Sequence, residues 1–106
     1  MIKAEFFVSR DDVLTGFHIS GHSEMADYGQ DVLCAFVSSA AYMAANTITE
    51  IIGADAQAEV SDGDMKVTAA EKDLRSCQVV FEGLKLHLLE TEKQYPEYLK
   101  VIFTEV

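Results

Sequence analysis

The sequence predicts a two-layer α+β domain spanning residues 1–106, with two helices on one face of a mostly antiparallel sheet. Three observations carry this. The N-terminus alternates apolar and polar residues with period two. Two long stretches carry helical apolar spacing. A short segment near the middle holds Asp62-Gly63 between two strand-like runs, which signals a hairpin. The resulting order is ββαββαβ.

Each element has a local cause. Residues 2–10 place Ile2, Ala4, Phe6 and Val8 on one face and Lys3, Glu5, Phe7 and Ser9 on the other. Asp11-Asp12 is a polar break that suits a turn. Residues 13–20 alternate again, with Val13, Thr15, Phe17 and Ile19 expected inward. Residues 21–30 are rich in Gly, Ser, Asp and Gln and read as a loop. Its only large apolar residues are Met25 and Tyr28, so it is expected to be mobile until a substrate orders it. Asp31 opens a helix expected to run to about Ile52, with Gly53 as its C-terminal cap. Apolar residues cover nearly its whole circumference, which predicts a largely buried helix. Residues 56–60 and 65–69 read as strands joined by Ser61-Asp62-Gly63-Asp64, where both central residues tolerate positive φ. From Leu74 to about Tyr95 the stripe Leu74, Cys77, Phe81, Leu84 and Leu88 predicts a helix, and Pro96 stops it. Residues 99–106 form the closing strand. Phe7 and its neighbours on the outer sheet face suggest a surface for dimerisation.

Composition narrows the function. The chain has 106 residues, 49% of them hydrophobic, and a net charge of −10. Its eight basic residues are scattered singly, which argues against direct nucleic-acid binding, since that binding neutralises phosphate charge. Acidity attracts a basic partner, or simply keeps the protein soluble. Nothing resembles a signal peptide. The longest apolar run, residues 32–52, is interrupted by Ser38, Ser39, Asn46, Thr47, Thr49 and Glu50, so no membrane segment is expected. These features point to a cytoplasmic protein. Its two cysteines are then expected as thiols, and the absence of a CxxC pair argues against a zinc knuckle or a thioredoxin-like motif.

Cys34 and His22 are the residues whose placement suggests chemistry. A thiol attacks as thiolate, and the first turn of a helix offers unpaired N–H groups that favour that anion. The same amides can stabilise an oxyanion beside the sulfur. His22 follows Gly21 at the end of the second strand, and imidazole has the pKa of a general base or of an ion-pair partner to a thiolate. Cys and His together form the smallest nucleophile–base unit. The plainer readings are a core cysteine and a surface histidine. Asp31 opposes a nearby thiolate, so it makes sense as a helix cap or as a group that orients His22. Ser38 lies one turn after Cys34 on the same face, where it bonds to backbone or presents a hydroxyl to the site. Cys77 sits on the apolar stripe and reads as core. A metal site built from His18, His22 and Cys34 is a weak alternative, because a strand end and a loop do not converge as a helix does. No metal and no cofactor are expected.

The pattern Gly21-His22, then Tyr28-Gly29, then Asp31-x-x-Cys34-Ala35-x-x-Ser38 resembles the bacterial ribosomal-processing cysteine protease family, Prp. The chain length, the element order and Tyr95-Pro96 agree with it. The resemblance implies a homodimeric cysteine endopeptidase that removes an N-terminal extension from the precursor of large-subunit ribosomal protein L twenty-seven, cutting after paired phenylalanines. It implies Cys34 as nucleophile and His22 as general base, with Gly21, Asp31 and Ser38 supporting the site or binding substrate. Ribosomal protein tails are basic, which matches the acidity of this chain. The rival is a non-catalytic acidic adaptor dimer that binds a basic ribosomal protein, with Cys34 as an inert core thiol.

Overall fold

The computed structural model describes residues 1–22 and 32–106. Their order is β1 (Ile2–Val8), β2 (Leu14–Ser20), α1 (Val32–Asn46) continued by a π-helical turn (Thr47–Ile52), β3 (Ala56–Ser61), β4 (Asp64–Ala69), α2 (Leu74–Gln94) and β5 (Leu99–Glu105). A single 3-10 turn, Glu71–Asp73, leads into α2. One five-stranded sheet runs β3-β4-β2-β1-β5. Every pairing is antiparallel except β1 with β5. The expected α+β order therefore holds, with α2 serving as the crossover that brings β5 parallel to β1.

The core lies between one sheet face and the two helices. Ile2, Ala4 and Phe6 of β1 meet Phe17 and Ile19 of β2, Val37, Ala41 and Ala44 of α1, and Cys77, Phe81 and Leu88 of α2. Phe17 packs edge-on against Phe81, with centroids 6.2 Å apart, a favoured aromatic geometry.

The expected inward face of β2 is corrected at its start. The register shifts from Phe7↔Gly16 to Val8↔Leu14, so Thr15 is the extra residue of a β-bulge. Leu14 turns inward and is buried, while Val13 and Thr15 are only half-buried. Gln78 of α2 stabilises the bulge: its side chain accepts from the Leu14 N–H at 3.0 Å and donates to the Leu14 carbonyl at 2.6 Å.

Helix α1 departs from expectation in two ways. It ends in a π-helical turn, where the Thr47 and Thr49 hydroxyls donate to the Met43 and Ala45 carbonyls. Such hydroxyls compete with the regular backbone ladder. Gly53 caps it in the left-handed region, as its position suggested. Nor is the helix largely buried. Leu33, Val37, Ala41, Ala44, Ala45 and Ile48 face the sheet, but Val32 is 78% exposed, Met43 67% and Ile51 80%. A two-layer fold can cover only one side of a helix, so the second apolar side faces outward. Together the α-helix and π-turn span 21 residues of mean hydropathy 1.4, which by length and composition is enough to cross a bilayer. The polar interruptions do not shorten the segment as expected, yet its inward face forms part of the core.

The outer sheet face is more polar than Phe7 suggested. His18 meets both Asp64 carboxylate oxygens at 3.0 Å and lies 3.8 Å from Glu5. The Lys66 ammonium stands 5.5 Å from the Phe7 ring centroid. At the far edge, the Glu92 carboxylate accepts the Val101 N–H of β5 at 2.7 Å, occupying a donor on an edge strand.

Candidate active site

Strand β2 ends at Ser20, and Gly21 then turns the chain with φ +89°. A side chain at Gly21 would collide with the Met1 carbonyl, its Cβ only 2.4 Å away. Glycine is therefore required there on two counts, space and backbone angle. The Gly21 N–H donates to the Gly63 carbonyl at 2.9 Å, fixing this corner to the β3–β4 turn. His22 follows directly and is exposed.

Cys34 is the third residue of α1 and is half-buried. Its Sγ lies 3.7 Å from His22 Nδ1, within hydrogen-bond reach for sulfur. The two residues singled out from sequence are thus brought together, across 12 positions of chain. Cys34 also belongs to the first turn of α1, whose amides no backbone carbonyl within the helix satisfies.

Ser38 is exposed one turn further along, and it lines the same cavity as Cys34 and Gly21. That cavity has a volume of about 280 Å³. Ile2, Ile19, Val37 and Met65 give it an apolar floor, Tyr42 stands on the helix side, and Val60 to Asp64 form the opposite wall. An apolar pocket beside a thiol can hold a hydrophobic side chain of an extended peptide. Asp62 and Asp64 belong to that wall, with the Asp64 carboxylate turned to His18 on the outer sheet face. Asp31, and with it the expected cap and the loop at 23–30, lies outside the described residues.

His18, His87 and Cys77 fall elsewhere. His18 bonds Asp64 and lies 3.8 Å from Glu5, and among the described residues it forms no metal-ligating cluster with His22 and Cys34. His87 stacks on Phe36, centroids 5.0 Å apart, on the helix layer. Cys77 is fully buried, as expected. Burial pushes its thiol pKa up, and the Asp73 charge adds to the effect. Both cysteines are thiols in the structure.

Sequence reading missed the hairpin wall and Tyr42. Tyr42 carries a visible signal, being four residues beyond Ser38 and eight beyond Cys34 on one helix face. The hairpin carries none, since Asp-Gly reads only as a turn until β4 is known to pair with β2. The turn itself differs from expectation: Gly63 takes φ +70°, whereas Asp62 does not enter the left-handed region.

Comparison with known proteins shows the family and the fold. The family model described as cysteine protease Prp matches residues 1–100. The ribosomal processing cysteine protease Prp of Bacillus subtilis (strain 168) is 27% identical, over 95% of this chain and 96% of its own length. The Staphylococcus aureus (strain Mu50) protein of the same name is 20% identical over 95% and 97%. The crystal structure of Prp from S. aureus with a covalently linked product peptide superposes with a TM-score of 0.89 at 20% identity, covering 98% of this chain and all of that one. A structure of the same protease with a substrate peptide gives 0.85 at 19% identity, with 98% of this chain and all of that one covered.

Proposed function

The chain belongs to the Prp family of ribosomal-processing cysteine proteases, and from that premise we propose that Cys34 and His22 form the dyad that cleaves the N-terminal extension from the precursor of ribosomal protein L twenty-seven. The observation that carries this is the 3.7 Å approach of His22 Nδ1 to Cys34 Sγ. In this reading His22 takes the thiol proton, and the thiolate attacks the scissile carbonyl. The tetrahedral oxyanion then faces the first-turn amides of α1. His22 returns the proton to the leaving amine as the C–N bond breaks. Water, deprotonated by the same imidazole, hydrolyses the thioester and restores the thiol.

The cavity of about 280 Å³ suits the apolar residue before the scissile bond, in keeping with a cut after paired phenylalanines. Ser38 and Gly21 border it and would contact the peptide backbone. A net charge of −10, with Asp62 at the cavity wall, favours approach of a basic ribosomal-protein tail. The working form is proposed as a cytoplasmic homodimer. Membership in a protease family displaces the adaptor reading.

The test mixes the purified protein with the precursor from its own organism and follows product mass. A product shortened at the N-terminus is expected, and its loss in both Cys34→Ala and His22→Ala. Wild-type cleavage by either variant would sink the dyad.

A further inference from the structure

The imidazole of His22 has two edges, and the dyad uses only one. Nδ1 faces Cys34. The other edge rests on the β3–β4 turn, at Gly63. A Cβ built on Gly63 would lie 2.8 Å from Nε2 and 3.1 Å from Cε1 of His22. That is about 0.6 Å short of the 3.4 Å at which ordinary contact begins. The ring therefore occupies the space that any other residue's side chain would fill.

The turn is held firmly enough for this contact to matter. Ser61 and Asp64 pair across it, and Asp64 also pairs with Ser20 of β2. The Asp64 carboxylate binds His18 on that strand through both oxygens, and the Gly63 carbonyl accepts the Gly21 N–H at 2.9 Å. Hairpin tip and histidine thus hang from the same strand end.

We propose that Gly63 is a positioning residue for His22: its bare Cα backs the imidazole and sets the distance from Nδ1 to Cys34. The proposal rests on the dyad reading above. At 3.7 Å the Nδ1–Sγ pair is already long. A shift of the ring by several tenths of an ångström breaks it or jams it, and misplacement on the order of 1 Å costs roughly 100-fold in rate.

Gly63 also takes φ +70°, so a stability effect must be separated from a contact effect. Asn accepts the left-handed region better than other residues with a side chain. Gly53 supplies the control: its φ is +71° and a Cβ there meets nothing within 4 Å. The experiment compares Gly63→Asn, Gly53→Asn, His22→Ala and the double variant Gly63→Asn/His22→Ala. It reads kcat and KM on the precursor, the pH profile of Cys34 alkylation by iodoacetamide, and Tm.

Gly63→Asn is expected to lower kcat about 10- to 100-fold. Its alkylation profile should move toward that of His22→Ala, and the double variant should match His22→Ala alone. Gly53→Asn should keep the wild-type profile. A second left-handed-tolerant variant, Gly63→Asp, is scored in place of Gly63→Asn if that one melts early. Wild-type kinetics and profile in the Gly63 variant overturn the proposal while leaving the dyad standing. So does a loss of the same size in the His22→Ala background. A wild-type profile and turnover in His22→Ala overturn the dyad itself, and Gly63 with it.

Discussion

Replacing each thiol in turn separates chemistry from packing. Cys77 is fully buried on α2 among the residues of the core. Cys77→Ala deletes one heavy atom from this close-packed setting. Burial of a group of that size is worth about 0.8 kcal/mol. Deletions of comparable size, such as Ile→Val, cost roughly 0.5–1.5 kcal/mol once the residual void is included. A cost near 1 kcal/mol lowers Tm by about 4 °C for a domain of this length. Turnover should not change, because Cys77 lies on a different helix from Cys34 and does not line the cavity. Cys34→Ala should do the reverse: Tm nearly unchanged, since the side chain is half-exposed, and cleavage abolished. The assay pairs calorimetry with precursor processing and adds a labelling arm. Native protein should take one alkyl group quickly, at Cys34, and a second only in denaturant, because burial and the Asp73 charge hold the Cys77 thiol protonated. Loss of processing in a well-folded Cys77→Ala protein would refute the assignment, as would equal labelling rates at the two positions.

Two further outcomes follow from the fold. The Asp73 carboxylate accepts the Asp55 N–H at 2.8 Å and lies 3.3 Å from Lys72, which lowers its pKa below the ordinary 3.8. Its ionised form therefore stabilises the fold above about pH 4, and that contribution disappears as pH falls through the lowered folded value. Urea midpoints of wild type and Asp73→Asn should converge as pH drops below about 4; a gap that stays constant to pH 2 contradicts the linkage. Gly16→Ala would set a Cβ 2.3 Å from the Val67 carbonyl of the neighbouring strand. Because backbone must move, a loss of roughly 1–3 kcal/mol or more is expected by thermal melting, and an unchanged Tm would mean the β2–β4 spacing is wrong.

The order of elements was legible because each rests on local causes: period-two alternation in β1, the Leu74-to-Leu88 stripe of α2, the stop at Pro96 and the cap at Gly53. Cys34 and His22 were legible as chemical types in unusual local settings, a thiol in a first helical turn and an imidazole after a glycine. What sequence alone did not determine was long-range. The bulge at Thr15 arises from pairing with β1 and from Gln78, 64 residues away, so alternation misassigned Val13 and Leu14. Burial of α1 depended on how many layers cover it, and composition holds no record of that number. The 3.7 Å approach of His22 to Cys34 requires β2 to end and α1 to begin at one corner of the sheet. The role assigned to Gly63 is further still from sequence, because it exists only where β4 pairs with β2 and sets a bare Cα against a ring 41 positions earlier. Local periodicity names the elements; contact between distant elements is set by packing, and only the packed structure decides which two meet.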